Sequence, residues 1–284
     1  MIPTRMLGKT GERVTMLGLG GEGVLRTFGR EREAYALINR ALDLGIAYCE
    51  SARAYSGSES YYGKALKERR KDVFLTSKSH SRDKKGAFAH LHETLANMRT
   101  DHLDLWQVHD VRDEEEIKEI FGADGAIEAF VEAKEQGKVR FIGITGHHSP
   151  LVLRKCIERF SFDTVLMPVN PAESARDGFL TAVLPLARGK SMGIIGMKVY
   201  FRGLAAKLPW FTSMEPFMRF ALSQPVSTVV IGCDTLGQLE RNIDYVSSFE
   251  PMSDEEAGAL IRDVTPFAQR LMYYKPGSAE FRDL

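Results

Sequence analysis

Short apolar runs alternate along this chain with longer amphipathic stretches, so a period-two pattern repeatedly hands over to a 3.6-residue one. The runs predict eight strands, at Val14–Leu19, Ile46–Cys49, Val73–Thr76, Leu103–Val108, Val139–Ile144, Thr164–Val169, Gly193–Val199 and Thr228–Ile231. The amphipathic stretches predict helices over Glu31–Leu44, Glu59–Lys67, Ala87–Met98, Ile127–Gln136, Pro150–Arg159, Phe179–Arg188, Glu215–Ser223 and Leu236–Val246. Strand followed by helix, repeated, demands parallel strands, because each helix carries the chain back to the starting end. Eight such units predict closure into a (β/α)8 TIM barrel. Before the first strand, Lys9-Thr10-Gly11 marks the turn of a short N-terminal hairpin. After the eighth helix, Ser253-Asp254-Glu255-Glu256 has the form of a capping box and predicts one extra C-terminal helix, interrupted at Pro266. The tail from Pro276 is polar and is read as loose, and Glu114-Glu115-Glu116 as a solvated loop. No low-complexity linker divides the chain, which is read as one domain over residues 1–284.

Composition narrows the function classes. Lys and Arg number 38, as do Asp and Glu, giving a formal net charge of zero. That balance speaks against nucleic acid as a partner. With no apolar window of about 18 residues, no membrane span is expected. The three cysteines, Cys49, Cys156 and Cys233, have neither disulfide-framework nor metal-ligand spacing, and with no signal core near the N-terminus a cytoplasmic home is expected. The seven histidines, His147-His148 included, show no metal-ligand spacing, and no metal site is expected.

Chemistry in a parallel barrel belongs at the C-terminal ends of the strands. Glu50 closes the second strand and Tyr55 lies in the loop after it; Lys78 follows the third strand and His109 the fourth. The loops adjoin around the rim. A tyrosine, with a free pKa of about 10, needs tuning before it donates a proton well. A neighbouring ammonium stabilises its phenolate, a carboxylate holds that ammonium, and a neutral imidazole orients a carbonyl oxygen.

The stretch Gly45-Ile-Ala-Tyr-Cys-Glu-Ser-Ala-Arg-Ala-Tyr55 resembles the aldo-keto reductase motif G-I-x-x-x-D-T-A-x-x-Y. Ser58-Glu-x-x-x-Gly-Lys-Ala-Leu66, Thr76-Ser-Lys78 and Leu103-Asp-Leu-x-x-Val-His109 follow in the family's order, and the resemblance runs from Leu7 to Asn242. It implies an NAD(P)H-dependent oxidoreductase that reduces an aldehyde or ketone, a small-molecule carbonyl substrate. Tyr55 would be the general acid, Lys78 the residue that lowers its pKa, and His109 the group that positions the carbonyl. Glu50 stands where the family has aspartate, so an extra methylene must be absorbed, with altered activity as the expectation; a structural ion pair would look the same. The resemblance also implies a cofactor, NADPH or NADH, extended across the barrel mouth. Gly232, Thr235, Gln238 and Asn242 match the adenosine-binding positions. Asp234 stands where many members carry Lys or Arg against the 2′-phosphate of NADP, which leans the reading toward NADH or dual use, with Arg241 nearby to compensate. At the nicotinamide end, Thr145 and Asn170 match carboxamide-binding positions, while Gly146 and Leu166 replace polar residues.

Met197-Lys198 resembles a bacterial subgroup, some of whose members append a cysteine-rich iron–sulfur module that this sequence lacks. Met197 fits packing on the nicotinamide ring and ordinary barrel packing equally, and Lys198 would reach the pyrophosphate. Gly18-Leu-Gly-Gly-Glu-Gly23 has the G-x-G-x-x-G form, but the next helix starts too late for a Rossmann turn, and Gly20 and Gly21 are read as letting the backbone pass close to the nicotinamide. The mouth loops at 112–125 and 200–212 carry substrate choice, and Phe201, Trp210 and Phe211 point to an apolar or aromatic carbonyl compound. The rival reading is a dinucleotide-binding sensor or regulatory subunit with vestigial turnover.

Overall fold

Eight parallel strands close on themselves in a computed structural model that describes residues 1–175 and 177–276. An antiparallel hairpin, β1 (Thr4–Met6) and β2 (Arg13–Thr15), precedes them. The barrel strands are β3 (Leu17–Gly23), β4 (Tyr48–Glu50), β5 (Phe74–Ser79), β6 (Leu103–Val108), β7 (Val139–Thr145), β8 (Thr164–Pro168), β9 (Gly193–Met197) and β10 (Thr228–Cys233). They pair in chain order, and β10 closes the ring against β3. The loose-tail reading falls almost wholly on residues 277–284, outside the described residues.

The barrel has two apolar layers. Outward-facing strand residues pack against the surrounding helices, as where Trp106 of β6 stacks on Phe130 of the helix Ala126–Glu135. Inward-facing Tyr48, Phe74, Leu105, Leu166, Ile195 and Val230 form a separate cluster with Leu7 and Val14 of the hairpin. Leu7 is fully buried, and Gly193 of β9 leaves room for it, since a Cβ there would lie 2.7 Å from the Leu7 side chain. The hairpin therefore plugs one end of the barrel, and the site is left to the other. Because side chains alternate along a strand, Tyr48 and Glu50 share the inner face of β4, and Phe74, Thr76 and Lys78 that of β5. The inner face thus changes from apolar to polar toward the strand ends.

Three expectations need correction. The run Val14–Leu19 is not one strand: the chain breaks at Met16, Val14 belongs to the hairpin, and the first barrel strand continues to Gly23. The G-x-G-x-x-G motif lies along that strand and makes no phosphate turn. Glu114-Glu115-Glu116 is not a loop but the first turn of the helix Glu114–Phe121, inside the stretch read as an open loop. Asp113 caps it by accepting from the Glu116 amide at 3.0 Å, acidic residues suit a helix N-terminus, and Ile117 and Ile120 are buried beneath it. The amphipathic run Phe179–Arg188 is broken into Phe179–Ala182 and Leu184–Gly189, with Pro185 setting the second start. The capping box at Ser253 and Glu256 forms, and the helix Asp254–Val264 gives way to a tight turn at Pro266. Among the described residues no helix is long and apolar enough to cross a membrane.

Candidate active site

Tyr55, Lys78, His109 and Glu50 converge at the C-terminal end of the barrel. Lys78 is 1% exposed and its ammonium contacts a Glu50 carboxylate oxygen directly. It also donates to the Ser51 carbonyl at 2.8 Å. Burial presses Lys78 well below the ordinary amine value against the opposing Glu22 carboxylate, and the Glu50 oxygen it touches is a further counter-charge that favours the ammonium. The Lys78 Nζ lies 4.9 Å from the centre of the Tyr55 ring, and the His109 ring meets that of Tyr55 edge-on at 6.0 Å. Burial, with the Lys78 and His147 charges behind it, pushes the His109 imidazole well below its ordinary value. It is therefore neutral at physiological pH. Burial and the Glu22 carboxylate raise the Tyr55 phenol above its ordinary value, with Arg26 opposing them.

The extra methylene of Glu50 is absorbed by the first strand. Its second carboxylate oxygen accepts the Gly21 amide at 2.9 Å. A Cβ on Gly21 would lie 2.5 Å from the Ser58 hydroxyl and 2.7 Å from the Glu50 carbonyl. Gly21 is turned toward β4, not toward the cavity, so its expected place beside the nicotinamide is replaced by a role in holding Glu50. Gly20 remains on the cavity wall, where a Cβ would press on Ile231 and Gly232.

A cavity of about 790 Å³ opens from Tyr55 and Glu50 across β3, β9 and β10. Met197, Lys198, Gly232, Asp234, Gln238, Arg241 and Asn242 line it. Met197 also packs on the inner barrel cluster. Thr235 does not reach the wall: its hydroxyl caps the helix Leu236–Ser247 by accepting from the Gln238 amide at 3.2 Å. Asn242 is tied inward, accepting from the Tyr200 hydroxyl at 2.8 Å. Thr145 and Asn170 are likewise buried and engaged. The Thr145 hydroxyl accepts from the Asp110 amide at 2.7 Å, and the Asn170 amide donates to the Lys198 carbonyl and the Tyr274 hydroxyl. The Asn170 Oδ1 is buried with no partner among the described residues. A carboxamide N–H is the kind of donor that oxygen needs.

Of the aromatic residues expected to shape the substrate pocket, Phe211 lines the cavity. Phe201 is fully buried against Phe217, and Trp210 stacks on the same Phe217. His147 and His148 come together with Asp110 in space, with ligating atoms within 4.8 Å of one another, a grouping that spacing alone did not reveal because Asp110 comes from another loop. Arg112 binds the same Asp110 carboxylate at 2.8 and 2.9 Å.

Several residues at the site escaped the sequence reading. Glu22 and Arg26 line the cavity beside Tyr55, and Arg202 lines it with a backbone φ of 58°. The strand runs on past Leu19 to Gly23, which puts Glu22 in its last pleat and Arg26 just after its end. The segment Tyr274-Lys275 returns from the C-terminal side to the barrel mouth, held by Glu173. Glu173 is fully buried and accepts from Tyr274 at 2.8 Å, from Lys275 at 2.6 Å and from the Phe179 amide at 3.0 Å. Glu173→Gln removes the charge that pairs Lys275 and is expected to cost about 1–3 kcal/mol of stability, read as a lower thermal midpoint.

Residues 16–209 match the model of the Aldo/keto reductase family. The chain is 26% identical to L-galactose dehydrogenase of Arabidopsis thaliana, over 90% of this chain and 91% of that one. Among solved structures, the holo form of an aldo-keto reductase from Bacillus halodurans superposes with a TM-score of 0.78 at 23% identity, over 93% of this chain and 96% of that one. An aldo-keto reductase from Klebsiella pneumoniae in complex with NADPH gives 0.76 at 17% identity, over the whole of both chains.

Proposed function

The chain belongs to the aldo/keto reductase family and is an NAD(P)H-dependent carbonyl reductase; from that premise we propose that Tyr55 is the proton donor to an aldehyde or ketone held at the barrel mouth. The observation that carries this reading is the convergence of Tyr55, Lys78 and His109 at one end of a cavity large enough for a cofactor and a small substrate.

The bound nicotinamide supplies the hydride. The chain's own residues do the rest. His109, kept neutral by burial, offers a hydrogen bond that orients the carbonyl oxygen toward the Tyr55 hydroxyl. Tyr55 passes its proton to that oxygen as negative charge develops there. Lys78 and Arg26, 4.9 and 5.2 Å from the Tyr55 ring centre, stabilise the phenolate left behind. Glu50 fixes Lys78 in place. Asn170 and Thr145 would hold the carboxamide, Gly20 and Met197 would flank the ring, and Lys198 would meet the pyrophosphate. Gly232, Gln238, Arg241 and Asn242 would take the adenosine end, with Thr235 shaping the helix start whose free N–H groups favour a phosphate.

The test is oxidation of NADPH and of NADH with a panel of aromatic and aliphatic aldehydes. Turnover with at least one pair is expected; tight cofactor binding without turnover of any aldehyde would put a sensor in its place. That rival draws support from the Asn170 amide, which is committed to Tyr274.

Asp234 bears on cofactor choice, since a carboxylate at the cavity wall repels a 2′-phosphate. Asp234→Arg is expected to improve the affinity for NADPH relative to NADH about tenfold, the worth of a charge-assisted bond at a partly exposed site. Fluorescence titration of both cofactors reads the ratio.

A further inference from the structure

Two cations lean on the Tyr55 ring, and they are placed very differently. Lys78 is locked between Glu50 and the Ser51 carbonyl and has almost no exposed surface. Arg26 follows the end of β3, lines the cavity with its side chain 42% exposed, and has its guanidinium carbon 5.2 Å from the ring centre. Its partner Glu22, at 2.9 Å, also lines the cavity. Burial works against the Glu22 carboxylate, yet Lys198, Arg202, Arg26 and Lys78 together hold it below its ordinary value.

Two carboxylates, Glu22 and the Glu50 that pairs Lys78, stand among those four cations, so this part of the cavity stays positive. Lys198 and Arg202 come from the segment after β9, where the dinucleotide phosphates are proposed to run. Arg26 comes instead from the β3 side, beside the phenol where the carbonyl must sit. Phe211 and Met214 give the same cavity an apolar wall.

We propose that Arg26 anchors an anionic group on the substrate, so that the preferred carbonyl compound carries a carboxylate or a similar anion on a partly apolar body. A guanidinium matches a carboxylate with two parallel N–H donors. When the substrate takes that face, Glu22 keeps Lys198 and Arg202 as counter-charges, so no carboxylate is stranded. The inference rests on the reductase reading above and adds the substrate class to it.

Matched probes test it: 4-carboxybenzaldehyde against benzaldehyde, and succinic semialdehyde against butanal, with wild type, Arg26→Gln and Arg26→Lys at saturating cofactor. Wild type is expected to favour the carboxylated member of each pair in kcat/KM. The preference should fall about 10- to 100-fold in Arg26→Gln, the worth of a hydrogen bond to a charged group, with partial recovery in Arg26→Lys. An unchanged ratio in Arg26→Gln, or a wild type that prefers the uncharged member, overturns the proposal. So does a tenfold loss of NADPH affinity with the ratio intact, which would assign Arg26 to the cofactor. A second readout does not depend on turnover: calorimetric affinity for 4-(hydroxymethyl)benzoate in the presence of NADP+. Weaker binding in Arg26→Gln supports the anchor, and equal binding in both proteins overturns it. Failure of every aldehyde to react, with that binding difference intact, would count against the reductase reading alone.

Discussion

Tyr55→Phe is expected to lower kcat by about 10²- to 10⁴-fold, the usual worth of a positioned general acid, while leaving cofactor affinity within a few-fold of wild type. The substitution removes one oxygen and keeps the ring that Lys78, Arg26 and His109 surround. Packing is therefore retained and the loss is confined to the proton. The pH profile sharpens the test. Burial and Glu22 raise the Tyr55 phenol, so it stays protonated through neutral pH and well above it. Burial lowers the His109 imidazole, so it stays neutral down through pH 6. One group is raised and the other lowered, so between about pH 6 and 8 neither changes charge and neither should give kcat/KM a limb there. A steep limb centred near pH 6.5, an unperturbed histidine value, would show that His109 titrates freely and does not sit as described. A Tyr55→Phe variant that reduces aldehydes at the wild-type rate would assign the proton to another group.

The barrel was legible because its signal is repetitive. Eight strand–helix units leave few other topologies, and the helix expected at Pro150–Arg159 forms with those bounds, its proline fitting the first turn. Boundaries were lost where local pattern and tertiary pairing disagree. Val14 and Leu17 read as one apolar run, yet one pairs in the hairpin and the other in the barrel. The full length of β3 is what carries Glu22 and Arg26 to Tyr55. Glu114–Glu116 was hidden for a different reason. Three adjacent charges look solvated, but at a helix N-terminus they are stabilising, and Ile117 and Ile120 behind them supply the buried face. Side chains already committed to the protein are invisible in any sequence motif. Thr235 as a cap, Asn170 on Tyr274 and Glu173 beneath the returning chain could be found only once distant segments were brought together.

Glu50 gives the second large expected effect, and it runs against simple family reasoning. The Glu50–Lys78 pair is almost entirely buried, so removing one partner strands a charge in the barrel. Glu50→Ala or Lys78→Met is expected to cost about 3–5 kcal/mol, a fall of roughly 10 °C in thermal midpoint for a chain of this size. The double variant Glu50→Leu with Lys78→Met strands no charge and should be more stable than either single variant, while remaining as inactive as Lys78→Met. That separation of stability from turnover distinguishes a pair that tunes Tyr55 from one that only holds the barrel end together. The conservative change is the more discriminating. Glu50→Asp restores the residue that the family motif carries, but a side chain one methylene shorter cannot both contact Lys78 and accept the Gly21 amide at 2.9 Å. With the Lys78 contact kept, the Gly21 N–H loses its partner in a place too crowded to admit even a Cβ, at an expected cost of about 1–3 kcal/mol. Thermal unfolding of Glu50→Asp beside wild type measures this directly. Equal midpoints would mean that the Gly21 bond contributes nothing and that β3 does not fix Glu50; a lower midpoint with kcat largely retained would show that this chain has moved the anchor of its lysine from the aspartate position to a longer arm braced on the first strand.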